Sequence, residues 1–428
     1  MITAPSLSPQ KARAAAAVDE AFYTKPHLRA LTGLRAYAAL WVALSHFFLV
    51  LSYEHGVTFD NLLSRFALAG YLGVDLFFVL AGYIHAYNFK DRLANDFRPR
   101  TVTTFYVHRI ARVGPAFWFC CAAQAVLLCF VYERVQATPG ALWFNGLLVG
   151  TMSHVWFAQT MSDMTSLTWM QVNGAFWSVS AEWFAYLLFP LLVLLTRRWT
   201  LVTSFLLAVA LLVGMGYVAD GVRGGLGDCI YGYTAFLRVM AGFVVGYVAF
   251  HLRERSGLIR RAAPLLFGLS IAGTLLLTFA ATKHPAATIT IWSAWETPYI
   301  ALLGLLVISL HSEGWHCRAF TPRPIVYLGE VSYALYLVHY VAFSLLIAAL
   351  FGGADWKAWL SGDWSVLPVL ALSMAVAVAI SAGVYHLVEQ PGRRVLRRLA
   401  PAERRMAMTS AATGEAVEQM AQPRRRAA

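Results

Sequence analysis

The chain has 428 residues, 59% hydrophobic and only 13% charged, with a mean hydropathy of +0.59. A soluble domain carries roughly 25% charged residues, so one water-soluble globule is excluded and many apolar spans are implied. The net charge of +12 lies in short clusters between apolar runs and at both ends, which is how positive-inside cytoplasmic loops are distributed and argues against a nucleic-acid partner.

Residues 1–29 hold Lys11, Arg13, Asp19, Glu20 and Lys25 among alanines, without an apolar core ahead of a cleavage signature, and are expected to form a cytoplasmic tail. Crossing the hydrocarbon takes about 20 apolar residues. Spans are predicted over 34–53, 70–89, 110–131, 176–195, 200–218, 234–251, 263–281, 294–310, 327–350 and 366–387. The segments Lys90–Arg112, Thr196–Trp199, His251–Arg261, Cys317–Arg323 and Arg393–Arg405 are basic and are assigned to the cytoplasm. The loops around Glu54–Asp60, Ala219–Asp228, Lys283–Pro285 and Ala354–Asp363 are poorer in positive charge and are assigned to the outside. Ten crossings then place both termini in the cytoplasm. Residues 141–160 are apolar too, but a crossing there would put Arg197 and Arg198 outside. That stretch, with Trp143, Trp156 and Trp169 near it, is expected to be interfacial or re-entrant on the outer side. The expected fold is all-α and polytopic, with one membrane domain over 30–396. Residues 397–428, rich in Ala, Arg and Glu, are expected to be a disordered cytoplasmic tail.

The cysteines, Cys120, Cys121, Cys129, Cys229 and Cys317, form no Cys-x-x-Cys pair and are taken as small apolar residues. His311, His316 and Cys317 form a loose group whose spacing does not support a metal site, and none is expected.

Ionisable groups inside spans are costly and usually face the bundle interior, so they are the first candidates for chemistry. In the first span Arg35 and His46 are eleven residues apart, nearly one helix face and ~16 Å along the axis. Arg35 is either an interface anchor or part of a site; His46 is either an interhelical hydrogen-bonding group or a general base. Asp75 in the second span either orients a His or Arg or caps a helix start, and Gly70, Gly73 and Gly82 permit close helix approach. Arg109 and Arg112 are either positive-inside anchors or a phosphate clamp, since guanidinium forks bind phosphate oxygens. Ser178 and Glu182 share a face of the fourth span, where a buried polar network is expected. In the ninth span Ser332 and His339 are seven apart, with Tyr333, Tyr336 and Tyr340 nearby, and suggest a lined cavity. Glu389 and Pro391 are expected to end the last helix.

Six blocks in order resemble the acyltransferase-3 family. Arg35, ten residues, then His46 resembles its Arg-x10-His signature. GVDLFFVLAGY at 73–83 resembles its second-helix block, FYVHRIARVGP at 105–115 its third-helix arginine motif, and FWSVSAEWFAYLLFPLL at 176–192 its WSLSVE-containing helix. LGEVSYALYLVHY at 328–340 and HLVEQPGRR at 386–394 are similar to its closing blocks. Ala81 stands where serine is usual, and Trp183 and Phe184 where an acidic residue and glutamine are common.

The resemblance implies an O-acyltransferase of the cell membrane (inner or plasma) using acetyl-CoA or another acyl-CoA as co-substrate, with a carbohydrate or glycoconjugate hydroxyl as acceptor. It implies that Arg109 and Arg112, with Arg35 nearby, meet the CoA phosphates. His46 is then the general base or helps pass the acyl group across the bilayer. Asp75 and Glu182 join the catalytic set, and Ser178, Ser332, Tyr333 and His339 are expected to bind substrate. The other reading that ten spans allow is a transporter or exporter, which would be expected to show inverted repeats; no matching halves are found.

Overall fold

The computed structural model describes residues 26–53, 62–130, 139–157, 175–198, 200–220, 229–255, 257–281, 297–311, 314–351 and 366–400. All elements among them are helical. In chain order they are α1 (Pro26–Tyr53), α2 (Leu62–Leu68), α3 (Leu72–Asn95), α4 (Pro99–Phe130), α5 (Pro139–Gly150), α6 (Trp177–Leu195), α7 (Thr200–Asp220), α8 (Gly232–Arg255), α9 (Gly257–Ala281), α10 (Thr297–Ser309), α11 (Arg323–Phe351), α12 (Val366–Val384) and α13 (Gln390–Arg397). Short 3-10 turns join α2 to α3 and precede α11.

Nine helices among the described residues are long and apolar enough to cross a membrane, and α10 is a shorter apolar helix of 13 residues. Each of the ten predicted spans coincides with one of these helices, and the chain is a multi-pass membrane protein. At 12 residues, α5 rises about 18 Å, too little to cross. Its end is held by the Trp118 indole, which donates to the Gly150 carbonyl at 3.1 Å. Most of both tails, most of the outer loops and Trp169 lie outside the described residues, while residues 26–29 already belong to α1.

Where helices touch most closely, glycine is at the contact. α3 and α8 run so near each other that a Cβ on Gly82 would collide with the Phe243 carbonyl, and one on Gly246 with the Val79 carbonyl. Gly70 and Gly73 meet the α1 backbone at Trp41 and Ala38, and Gly329 of α11 meets it at Thr32. Without a hydrophobic driving force between helices in lipid, such backbone contact is what holds them. The charged group of α3 is thereby set against α8. Arg238 donates from Nε to Asp75 Oδ1 at 2.9 Å and from Nη2 to Oδ2 at 2.8 Å. The side chains are 1% and 0% exposed, and Trp177 stacks on the guanidinium from α6.

The last helix departs from expectation. It does not end at Glu389. Pro391 has no N–H to donate and its ring crowds the preceding turn. The chain widens instead into a π turn over Tyr385–Glu389 and continues as α13. Such a turn absorbs the defect and re-aims the side chains it carries.

Asp75→Asn leaves Arg238 charged and without its carboxylate in a dry core, at a cost of about 3–5 kcal/mol. Thermal unfolding in lipid nanodiscs should show a marked loss, and pairing the change with Arg238→Met should recover most of it. An unchanged melting temperature in Asp75→Asn would mean that the ion pair contributes nothing.

Candidate active site

α1, α3, α4, α6 and α11 enclose a cavity with about 810 Å³ of empty space, open solvent included. It runs along α3 from Val74 to His85, eleven residues or ~16 Å of helix. Six of the predicted site residues line it: Arg35, Arg109, Arg112, Ser178, Glu182 and Tyr333. α4 carries the two arginines on successive turns, α6 the serine and carboxylate, and α1 the remaining arginine.

Each of these groups is held. The Arg109 Nη1–H donates to His85 Nε2 at 3.2 Å, and the guanidinium stacks on Phe89 at 4.8 Å from the ring centre. His85 in turn donates from Nδ1 to the Ala81 carbonyl at 2.6 Å and stacks on Tyr186 at 4.4 Å. The Tyr186 hydroxyl donates to Glu182 Oε1. Arg112 pairs with Glu389, the carboxylate the π turn delivers, and lies over the Tyr333 ring at 5.6 Å. The Tyr333 hydroxyl donates to the Val113 carbonyl at 2.9 Å. Part of the Arg112 charge is therefore already balanced, whereas Arg109 is oriented by a neutral imidazole and two aromatic faces. The cavity thus presents three guanidiniums and one carboxylate, itself held by a phenol, a lining with net positive charge suited to a polyanion.

Four predicted residues are not in the lining. Asp75 is closed into its fork with Arg238. The Ser332 hydroxyl donates to the Gly329 carbonyl of its own helix at 2.8 Å and is buried. His46 and His339 lie beyond the cavity, facing each other across α1 and α11. Arg35 lines the cavity and His46 does not, a break between two residues of nearly one helix face. Tyr336 stands at the break. It lines the cavity, bonds the Ser178 hydroxyl at 2.6 Å and places its ring 5.9 Å from that of His339. Phe77, also in the lining, packs edge-on to Tyr336 at 6.1 Å.

The histidine pair has a defined proton arrangement. His339 Nδ1 lies 2.9 Å from the Leu335 carbonyl, which can only accept, so Nδ1 carries the hydrogen. In the neutral ring Nε2 is then an acceptor. His46 Nδ1, at 2.9 Å from it, must supply the proton. The His46 Nε2 is left with its lone pair, the form a general base requires.

His85, Tyr186, Tyr336, Arg238 and Glu389 were not chosen from the sequence as site residues. His85 and Arg238 carried a signal, being ionisable and inside predicted spans. The pairing of Glu389 had none, because it depends on the π turn.

A family model described as an acyltransferase domain, of the acyltransferase-3 type, matches residues 28–386. The O-acetyltransferase OatA of Staphylococcus aureus is 22% identical over 331 residues, 75% of this chain and 51% of that protein. The chain spans about half the length of these first curated relatives. Nodulation protein 10 of Rhizobium leguminosarum bv. viciae is 27% identical over 351 residues, covering 77% of this chain and 85% of that one. The acyltransferase MdmB of Streptomyces mycarofaciens is 26% identical over 388 residues, covering 87% and 94%. No solved structure matches the chain.

His339→Phe keeps an aromatic ring but removes the acceptor for His46 Nδ1–H, a loss of about 1 kcal/mol. In wild-type protein with labelled histidine, ¹⁵N NMR should show His46 protonated at Nδ1. In His339→Phe the ring should redistribute between its two tautomers. An unaltered His46 signal would mean that His339 does not fix the tautomer.

Proposed function

The chain belongs to the acyltransferase-3 family, and on that premise we propose that it transfers an acyl group from acyl-CoA to a hydroxyl of a carbohydrate or glycoconjugate. The group is proposed to be acetyl, the one named for the Staphylococcus aureus relatives. The observation that carries this reading is the His46–His339 pair, with His46 three helical turns along α1 from Arg35, which lines the arginine-bearing cavity.

The donor enters from the cytoplasmic side of a cell membrane (inner or plasma). Its phosphates meet Arg109 and Arg112, with Arg35 nearby, and its thioester points along the cavity toward Tyr336. Arg109 suits this because its fork is held before any ligand arrives. Tyr336 and Phe77 then swing aside, and the thioester carbonyl reaches His46. Its Nε2 takes the proton of the acceptor hydroxyl as the oxygen attacks the carbonyl carbon. The C–S bond breaks, the imidazolium returns the proton to the departing sulfur, and the products are an ester and free CoA. A proton held by His339 elsewhere would misplace the His46 lone pair, so His339 acts as a positioning residue. Glu182, joined to Tyr186, balances the arginine charge when the cavity is empty.

The test is transfer of label from [¹⁴C]acetyl-CoA to surface glycan by purified protein in nanodiscs. His46→Ala should lower the rate by about 10²–10⁴-fold, the range for a general base, with CoA binding retained. Activity equal to wild type would remove His46 from the mechanism.

A further inference from the structure

The cavity changes character along its length. Phe78 packs edge-on to Trp177 at 6.0 Å, and His85 stacks on Tyr186 at 4.4 Å, so α3 and α6 run side by side in the same direction. Arg109, His85 and Tyr186 therefore mark one end of the cavity. Val74, Phe77, Phe78, Ser178, Val179 and Tyr336 mark the other. That second end is apolar. Its two hydroxyls are turned on the protein itself: Tyr336 donates to the Ala175 carbonyl at 2.8 Å, and Ser178, at 2.6 Å from the Tyr336 oxygen, donates to it. A polar ligand group brought here would lose its water and gain no donor, which is costly.

Two aromatic rings close the apolar end. Tyr336 is tethered by its hydroxyl. Phe77 is held by packing alone, against the core around the cavity and against the second core that Phe47, Leu335 and Phe343 form between α1 and α11. It thus plugs the junction between the cavity and the layer that holds the histidine pair. Ala81, the smallest side chain in the lining, follows Phe77 by one turn and leaves room on the arginine side of the plug. Along α3 the plug lies ~12 Å from His85, and Val74 lies ~16 Å from it. The pantetheine arm of CoA is a chain of about five residue lengths, roughly 16 Å when extended. With its phosphates at Arg109 and Arg112, the arm fills the cavity and sets the thioester against Phe77 with little space beyond.

We infer that Phe77, backed by Tyr336, determines the acyl group of the donor: the cavity takes a short, unsubstituted acyl chain, acetyl before propionyl, and turns away longer or carboxylated ones. The inference rests on the acyl-CoA reading above. The acyl group waits against this wall before the wall opens toward His46, so its length is measured in the bound donor. One methylene too many in an apolar pocket is worth about 10–200-fold. A ring held only by packing yields more readily than a tethered one, which puts Phe77 near the lower figure.

Titration calorimetry of the full chain in nanodiscs, without acceptor, tests this with CoA, acetyl-CoA, propionyl-CoA, butyryl-CoA and succinyl-CoA. Free CoA ends at its sulfur, short of the plug, and is the reference within each variant, so a loss of folded protein or of phosphate binding cancels in the ratios. In wild type, acetyl-CoA should bind about as tightly as CoA, and each further carbon should weaken binding by about tenfold, so that butyryl-CoA is down by about 100-fold. Phe77→Ala should restore butyryl-CoA by at least tenfold relative to CoA. Phe77→Trp should act in the opposite sense and weaken propionyl-CoA further, which keeps the test decisive if the alanine variant does not fold. The inference is overturned if wild type binds butyryl-CoA or succinyl-CoA as tightly as acetyl-CoA, or if neither variant shifts the ratios. The deeper failure is distinguishable: no binding of CoA removes the acyl-CoA reading, whereas CoA binding that ignores chain length removes the role of Phe77 alone.

Discussion

A carboxylate and a guanidinium without measurable exposure, joined through both oxygens, fix the centre of this bundle. Asp75 and Arg238 each cost several kcal/mol to bring out of water, and only close, two-point pairing offsets that. The pairing demands that α3 and α8 lie almost backbone to backbone, which Gly82 and Gly246 allow. It also fixes the rotation of α3 about its axis. His85, ten residues beyond Asp75, is then directed at Arg109, and Val74, Leu80 and Ala81 at the cavity. The arrangement of the site is in this sense a consequence of one ion pair that lies outside it.

The membrane helices were legible because the bilayer imposes one length and one polarity on every crossing, and all ten predicted spans have a helix. The glycine contacts on α3 were legible for a related reason, since small residues mark where helices meet in lipid. The partners of the charged groups were not. Helical spacing puts Arg35 and His46 on one face, but a face about 100° wide can look at two neighbours. Arg35 looks into the cavity and His46 at α11. Asp75 was recognised as costly, while Arg238 on another helix went unmatched because nothing in one sequence says which span lies beside which. Pro391 read as a stop, since the capacity of a π turn to absorb the lost hydrogen bond is a matter of packing against α4, not of local preference.

Charge in the site is arranged as a set of partial neutralisations. Arg112 is balanced by Glu389, Glu182 is tied to a phenol, and Arg109 is braced by an imidazole and two aromatic faces. A fully neutralised cavity would not attract phosphate, and an unbalanced one would be costly to keep empty at membrane depth. The balance sits between, and on the proposed reading an arriving polyanion meets oriented donors without a large reorganisation of the protein. Because Glu389 belongs to the π turn, this balance is coupled to the position of α13.

The separation of the histidine pair from the cavity has a chemical logic on the proposed reading. A thioester in reach of both water and a general base is hydrolysed. Tyr336, anchored to Ser178 and to the Ala175 carbonyl, keeps an aromatic wall between the arginine cavity and His339. Ser178 belongs to α6, the helix that also carries Glu182. One helix therefore borders both the arginine end of the cavity and the wall that separates it from the histidines.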